Sequence, residues 1–494
     1  MLRLADTASC EVLYEDRTRF GSQISRRVDR LVRSALHGAA RMREREGFAK
    51  VVACTDRLLD EALCGGGLAS LYAKPFQLHE ECLYPPSTQI RPNAVMLRAS
   101  SGNQWRRVPL EQGVTGDLAR WVSEWETKAE RPLSAFGRRL WDAFREAGAF
   151  VAMPPQPAIG GDLLFAGHAS VRIGCRGSQV LFDPFLQPWS EANPPNYQPL
   201  TAGELKPDAI FITHSHPDHY NLGSLLRFAH TPIYVPAVER ESILSIDMAA
   251  RLTELGFERV HRLSCWQQVD IGVTRVTALP FTGEQPTDSS WLHPQVRNHG
   301  HVYLVESGKR RYAICADAGQ DHTGDVRQLA RQACRRFGAV DVVIGGYRGW
   351  SVYPIAYLFQ SISRYLLFVP RDSWKVRQHI MNDADDLLDT AEAWHATWVV
   401  PYADGGAPWY WSLGLGPDLS ACQSEAQNPH VDPRPEVVRT AALNRSSDKG
   451  VAIASPVRVC LLRPAQTLTL QPEPLTEWVG GRCWPYVSGD NVPS

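Results

Sequence analysis

Seven consecutive residues carry the densest chemistry in this chain: Thr213-His214-Ser215-His216-Pro217-Asp218-His219. The pattern reads His-x-His-x-Asp-His, four ligand-type side chains in six positions. On an extended loop, His214 and His216 project to the same side and can grip one metal ion. Asp218 and His219 fall on the following turn and reach a second ion beside it. Ion pairs about 3.5–4 Å apart are the usual geometry of two-metal chemistry. The residues just before, Asp208-Ala209-Ile210-Phe211-Ile212-Thr213, form a mostly apolar run that reads as a short buried strand. The cluster therefore sits where a strand ends, the edge at which open α/β layers bind their ligands.

The motif is similar to the signature of the metallo-β-lactamase superfamily, and the surrounding chain follows that superfamily in order. Upstream, the runs 163–173 and 178–184 read as two strands of a hairpin ending in Asp183. Downstream, Tyr312-Ala313-Ile314-Cys315-Ala316-Asp317 reads as a strand ending in an aspartate. The resemblance covers roughly residues 160–406. It implies an α/β fold, an αββα sandwich of two mixed sheets covered by helices. It also implies that Asp317 bridges the metals, and that Asp183 orients histidine ligands by hydrogen bonding. For His168 a place in a loop or behind the ligands is expected.

Two departures from the zinc-hydrolase pattern direct the reading further. After the strand 274–281 a histidine is usual, and here Glu284 follows. After the strand 397–401 another histidine is usual, and here the loop offers Asp404. His293, His299 and His301 remain alternatives for the first position, and His379 or His395 for the second. The implied metal shell is His214, His216, Asp218, His219, Glu284, Asp317 and Asp404. Such a carboxylate-rich shell suits iron or manganese better than zinc.

Within the superfamily the chain resembles the di-iron β-hydroxylase branch, which acts in antibiotic pathways such as that of chloramphenicol. That resemblance implies a monooxygenase with two Fe ions as cofactor and O2 as co-substrate. Its substrate would be an amino acid tethered to a carrier domain of a non-ribosomal peptide synthetase, hydroxylated at the β-carbon. The partners would be that carrier domain and a reductase or ferredoxin supplying electrons. The alternative is a metal-dependent hydrolase with two Zn ions, acting on a lactone, thioester or phosphodiester. Glu284 is expected to shift when substrate docks. Tyr347 and Arg348, in the loop after the strand 341–346, are expected to contact substrate carbonyl or phosphate groups.

Composition narrows the rest. The chain of 494 residues has 52 Lys+Arg against 53 Asp+Glu, so no basic field invites nucleic acid. No apolar run approaches a membrane span, and Met1 to Thr7 lack the apolar core of a signal peptide. The 11 cysteines form no C-x-x-C pair, which points to reduced thiols and a cytoplasmic setting, and away from a chain-encoded iron–sulfur site. Pro154, Pro155 and Pro157 mark a linker. It separates an N-terminal domain, 1–158, mainly helical α+β, from a catalytic domain, 159–494, with a surface insertion at 417–449. The N-terminal domain is expected to serve docking or homodimerisation. Its helices are expected at Gly21 to Ala40, at 117–122 and from Phe136 to Phe150, the last with Phe136, Leu140 and Phe144 at four-residue spacing.

Overall fold

The computed structural model describes residues 2–4, 9–16, 72–74, 77–78, 80–84, 90–98, 105–110, 115–122, 134–146, 150–152, 159–175, 177–186, 200–242, 244–284, 297–349, 351–352, 378–379, 381–403, 435–448, 457–470 and 474–479. Two sheets face each other. The first has eight strands in the order Val260–Leu263, Ile233–Pro236, Ala209–Phe211, Ser178–Phe182, Ser170–Cys175, Leu163–Gly167, Gln466–Leu470, Pro474–Trp478. The second has seven in the order Gln268–Ile271, Thr274–Pro280, His301–Ser307, Arg310–Ala316, Val342–Gly345, Trp398–Pro401, Arg458–Val459.

Side-chain alternation sorts each strand between two cores. Phe165, Val171, Ile173, Phe182 and Phe211 of the first sheet meet Val276, Tyr303, Val305, Ile314 and Ile344 of the second, forming the layer between the sheets. Their sequence neighbours point outward. Leu164, Leu181 and Ile210 pack beneath Leu225, Met248 and Leu252 of the helices on that side. Val302, Leu304, Ala313 and Val343 pack beneath the helices Val326–Phe337 and Ala384–Ala393. Strands buried on both faces read as near-continuous apolar runs, which is how they stood in the sequence. Each fully buried Phe or Leu contributes about 1.5–3 kcal/mol. The result is the expected αββα sandwich.

Strand direction decides where chemistry collects. Ser178–Phe182, Ala209–Phe211, Ile233–Pro236 and Val260–Leu263 run parallel. So do Arg310–Ala316, Val342–Gly345, Trp398–Pro401 and Arg458–Val459. Leu163–Gly167 and Thr274–Pro280 each stand two antiparallel pairings from a parallel strand, so they run the same way. Asp183, His214, Glu284, Asp317, Tyr347 and Ala403 all follow the carboxyl ends of these strands and share one edge of the sandwich.

Two expectations need correction. The run 163–173 is not one strand of a hairpin but two, reversed at Gly167 (φ 125°) and His168 (φ 49°), so that with 178–182 it makes a three-strand meander. The 417–449 stretch is not surface throughout. Helix Glu436–Asp448 lies against Ala384–Ala393, with Val438 fully buried and Arg445 bonded to Asp385 and Asp389. Residues of the N-terminal stretch pack in one core with the first sheet's helices. Its described part holds an antiparallel sheet of Ser9–Asp16, Ile90–Arg98 and Trp105–Pro109, and the helix Ala135–Glu146. Phe136, Leu140 and Phe144 are buried as their spacing predicts, in one cluster with Leu225 and Leu252. At Gly223 a Cβ would stand 1.9 Å from Cys10 O, so only glycine permits this contact of N-terminal strand and helix. The expected helix at Gly21 to Ala40 lies outside the described residues. Among the described residues no helix is long and apolar enough to cross a membrane.

Candidate metal centre

The site is built on a buried hydrogen-bond chain that fixes which ring nitrogen each histidine presents. Asp183 accepts from Thr213 N at 2.7 Å and from Thr213 Oγ1 at 2.6 Å. Having given its one proton to Asp183, the Thr213 hydroxyl accepts from His214 Nδ1 at 2.9 Å. Asp183 Oδ2 also accepts from His219 Nδ1 at 2.7 Å. Both rings are therefore left with Nε2 as the free donor atom. His214 Nε2 lies 2.8 Å from Glu284 Oε2, and His219 Nε2 lies 3.2 Å from Asp317 Oδ2. His216 Nδ1 lies 2.5 Å from Glu284 Oε1. His168 Nε2 meets Asp218 Oδ2 at 2.9 Å.

Three overlapping triads result: His214, His216 and Glu284; His214, His219 and Asp317; His168, Asp218 and His219. In each, the nitrogen and oxygen donors lie within 4.8 Å of one another. Asp317 Oδ1 is buried with no hydrogen-bond partner among the described residues. A desolvated anionic oxygen of this kind is costly unless a cation meets it. The donor set therefore fits metal ions, held through imidazole nitrogen and carboxylate oxygen.

Electrostatics agree. Burial opposes the charged form of Asp317, yet His219, Arg348 and His214 outweigh it and hold the carboxyl well below its usual range. Asp218 is held down against burial by His219 and His168. Burial also opposes charge on Glu284, but His214 and His216 keep its carboxyl low. Conversely, Asp317, Asp218 and Asp183 overcome the burial of His219 and raise its imidazole well above the usual value. Backbone strain concentrates here too. Of nine non-glycine residues with positive φ among the described residues, five border this edge: His168, Asp183, Glu284, Ala316 and Ala403. Such conformations cost roughly 1–3 kcal/mol each and persist where surrounding structure holds them.

The structure brings together His214, His216, Asp218, His219, Glu284 and Asp317, with Asp183 behind two of the histidines. It adds His168, whose ring the strand reversal carries to Asp218. It does not bring in His395, which is exposed ahead of the strand Trp398–Pro401, at the opposite edge. His301 is no ligand: its two ring nitrogens meet Leu279 O and Leu263 O in the core. His299 is half-buried and outside all three triads. His379 sits in the short strand Gln378–His379, paired with Ser351. Asp404 and His293 lie outside the described residues. Tyr347 is 1% exposed and packs in the apolar layer of Leu387 and Ala391. Arg348 is buried, and its charge acts on Asp317. Sequence reasoning missed Asn298, which donates to Glu284 Oε2 at 3.3 Å. An asparagine outside any ligand-type motif carries no signal by type or spacing.

The profile of the β-lactamase superfamily domain matches residues 178–355. The fold is that of the metallo-β-lactamases. A Streptomyces venezuelae protein, named the 3-hydroxylase of a 4-amino-L-phenylalanyl group on the CmlP peptidyl carrier protein, is 28% identical over 217 residues. The aligned stretch is 41% of this chain and 38% of that protein. A UPF0173 metal-dependent hydrolase of Salinibacter ruber is 32% identical over 80 residues, 16% of this chain and 32% of that protein. The matches thus span 38% and 32% of these curated relatives' own lengths. The crystal structure of CmlA, a diiron β-hydroxylase from Streptomyces venezuelae, superimposes with a TM-score of 0.60 at 18% identity. The superposition covers 97% of this chain and 99% of that one.

Proposed function

We propose that this chain is a di-iron, O2-dependent monooxygenase that hydroxylates an amino acid at its β-carbon while the amino acid is tethered to a carrier domain of a non-ribosomal peptide synthetase. The observation that carries the reading is Glu284, whose two oxygens face His214 and His216 at 2.8 and 2.5 Å. A carboxylate replaces the imidazole of a zinc hydrolase at this position and favours iron. The name of the Streptomyces venezuelae relative supports the substrate class. In this reading His214, His216, Glu284, Asp218, His219 and Asp317, with His168 or Asp404, would hold the two ions. Bound iron would supply the activation of O2: one oxygen atom would enter the C–H bond and the other leave as water, with two electrons from a reductase or ferredoxin and two protons.

The chain's own residues do the rest. Asp183 and Thr213 keep Nε2 of His214 and His219 turned inward. Arg348 offsets the negative charge gathered around Asp317. Glu284, with one oxygen toward each of His214 and His216, would be the ligand that shifts when substrate docks. A homodimer, with the N-terminal stretch as the docking element for the carrier, completes the proposal.

The test is metal analysis with Mössbauer and optical spectra of protein produced in iron-supplemented medium, followed by turnover of aminoacyl-loaded carrier proteins. Two irons per chain, reducible and reoxidised by O2, with gain of one oxygen atom on the aminoacyl group, are expected. Two tightly held zincs with redox-silent or absent iron would sink the reading. The second reading, a di-zinc hydrolase of a lactone, thioester or phosphodiester, would then stand, as the Salinibacter ruber relative favours.

A further inference from the structure

Asn298 is fully buried and joins two parts of the centre. Its Oδ1 accepts from Ser215 Oγ at 3.3 Å, and its Nδ2 donates to Glu284 Oε2 at 3.3 Å. A carboxylate only accepts, so the amide has one workable orientation. Ser215 lies between His214 and His216. Asn298 therefore ties the tip of Glu284 to the loop whose histidines share its ion.

The preceding residue grips the other end. Arg297 Nη2 donates to Phe281 O at 2.7 Å and reaches Asp321 Oδ2 at 3.3 Å, while its Nη1 donates to Thr323 Oγ1. Asp321 accepts from Gly283 N at 2.9 Å. Glu284 thus stands on a turn with φ of 94° at Gly283 and 54° at Glu284, backed by a part-buried ion pair. The two grips differ in strength. The hydrogen bonds under the turn include ones of 2.7 and 2.9 Å, whereas the Asn298 amide meets Ser215 and Glu284 at 3.3 Å each, near the weak end of the range. Apart from His214 and His216, which would share its ion, the tip of Glu284 meets the longer Asn298 bond, so the carboxylate can rotate without its turn moving.

We propose that Asn298 is a positioning residue that sets the binding mode of Glu284, holding Oε2 in place until substrate docking releases it, with Arg297 and Asp321 as the fixed pivot. The proposal rests on the reading that Glu284 binds metal. The test compares E284A, N298A and N298D as iron-loaded full-length protein, N298D keeping the volume of the amide but setting against Glu284 a carboxyl that repels it as an anion and donates only by taking up a proton. Mössbauer spectra and chelator-driven iron loss are the readouts, with thermal unfolding of each apoprotein as the folding check.

E284A is expected to lose one of two irons. N298A and N298D are expected to keep two irons per chain, with a changed spectrum for one of them and its loss to chelator accelerated about tenfold or more. Should N298A fail to fold, N298D decides. Wild-type spectra and chelator kinetics in the Asn298 variants, with E284A altered, overturn the positioning role alone. An unaltered E284A overturns the ligand reading and the positioning role together.

Discussion

Asp183→Asn is the sharpest perturbation of the centre, because it keeps shape and removes one charge at the root of the hydrogen-bond chain. Asp183 is fully buried and accepts three bonds of 2.6–2.7 Å, from Thr213 N, Thr213 Oγ1 and His219 Nδ1. The variant's amide has one oxygen to offer. With its nitrogen toward Thr213 N, a buried backbone donor loses its partner, which costs about 1–3 kcal/mol. With its nitrogen toward His219, that ring must move its proton from Nδ1 to Nε2, the atom that would bind metal. Thr213 Oγ1 would then accept from the amide and give its proton to His214 Nδ1, turning the second ring as well. Either way the backing carboxylate is gone, and such partners are worth roughly 10–100-fold in metal affinity, about 1.4–2.7 kcal/mol. Competition against a chromophoric chelator measures affinity for the ions, and denaturant unfolding of the apoprotein measures the structural share. A variant with metal affinities within about twofold of the parent and unchanged unfolding would refute the argument that Asp183 sets the histidine tautomers.

Glu284→His restores the imidazole of the hydrolase pattern, and metal analysis after expression with both iron and zinc is expected to show a shift toward zinc; an unchanged iron-to-zinc ratio would count against the carboxylate argument. Gly283→Ala places a Cβ 2.4 Å from Gly319 N at a φ of 94°, and urea unfolding should show a loss of about 1–3 kcal/mol, whereas parental stability would mean the turn is not strained. For pH, the raised imidazole of His219 means its charged form stabilises the apoprotein at low pH, a contribution lost as pH rises through the folded-state value. Metal needs the neutral ring, so affinity should fall on acidification, and calorimetry in buffers of different ionisation enthalpy should record protons released on binding; none released near neutral pH would contradict the shift.

What the sequence determined by itself was whatever lies close along the chain. His214, His216, Asp218 and His219 share one loop, and no packing is needed to see that they can share metal. Apolar runs bounded by polar turns marked the strands at 178–182, 209–211, 274–280, 310–316 and 342–345, and with them the strand-end positions of Asp183, Glu284 and Asp317. The resemblance carried by those motifs supplied the sandwich. Tertiary structure decided which strand ends meet. His216 and Glu284 are 68 residues apart and touch only because their strands, in facing sheets, finish at the same edge. The same ordering sent His395 to the far edge, gave His301 to backbone carbonyls, and sank Tyr347 into the core. It also turned the chain at His168 to reach Asp218 and laid Asn298 against Glu284. Spacing along a chain fixes neighbours within a loop, but sheet order and direction fix neighbours between loops, and those follow from burial summed over the whole molecule.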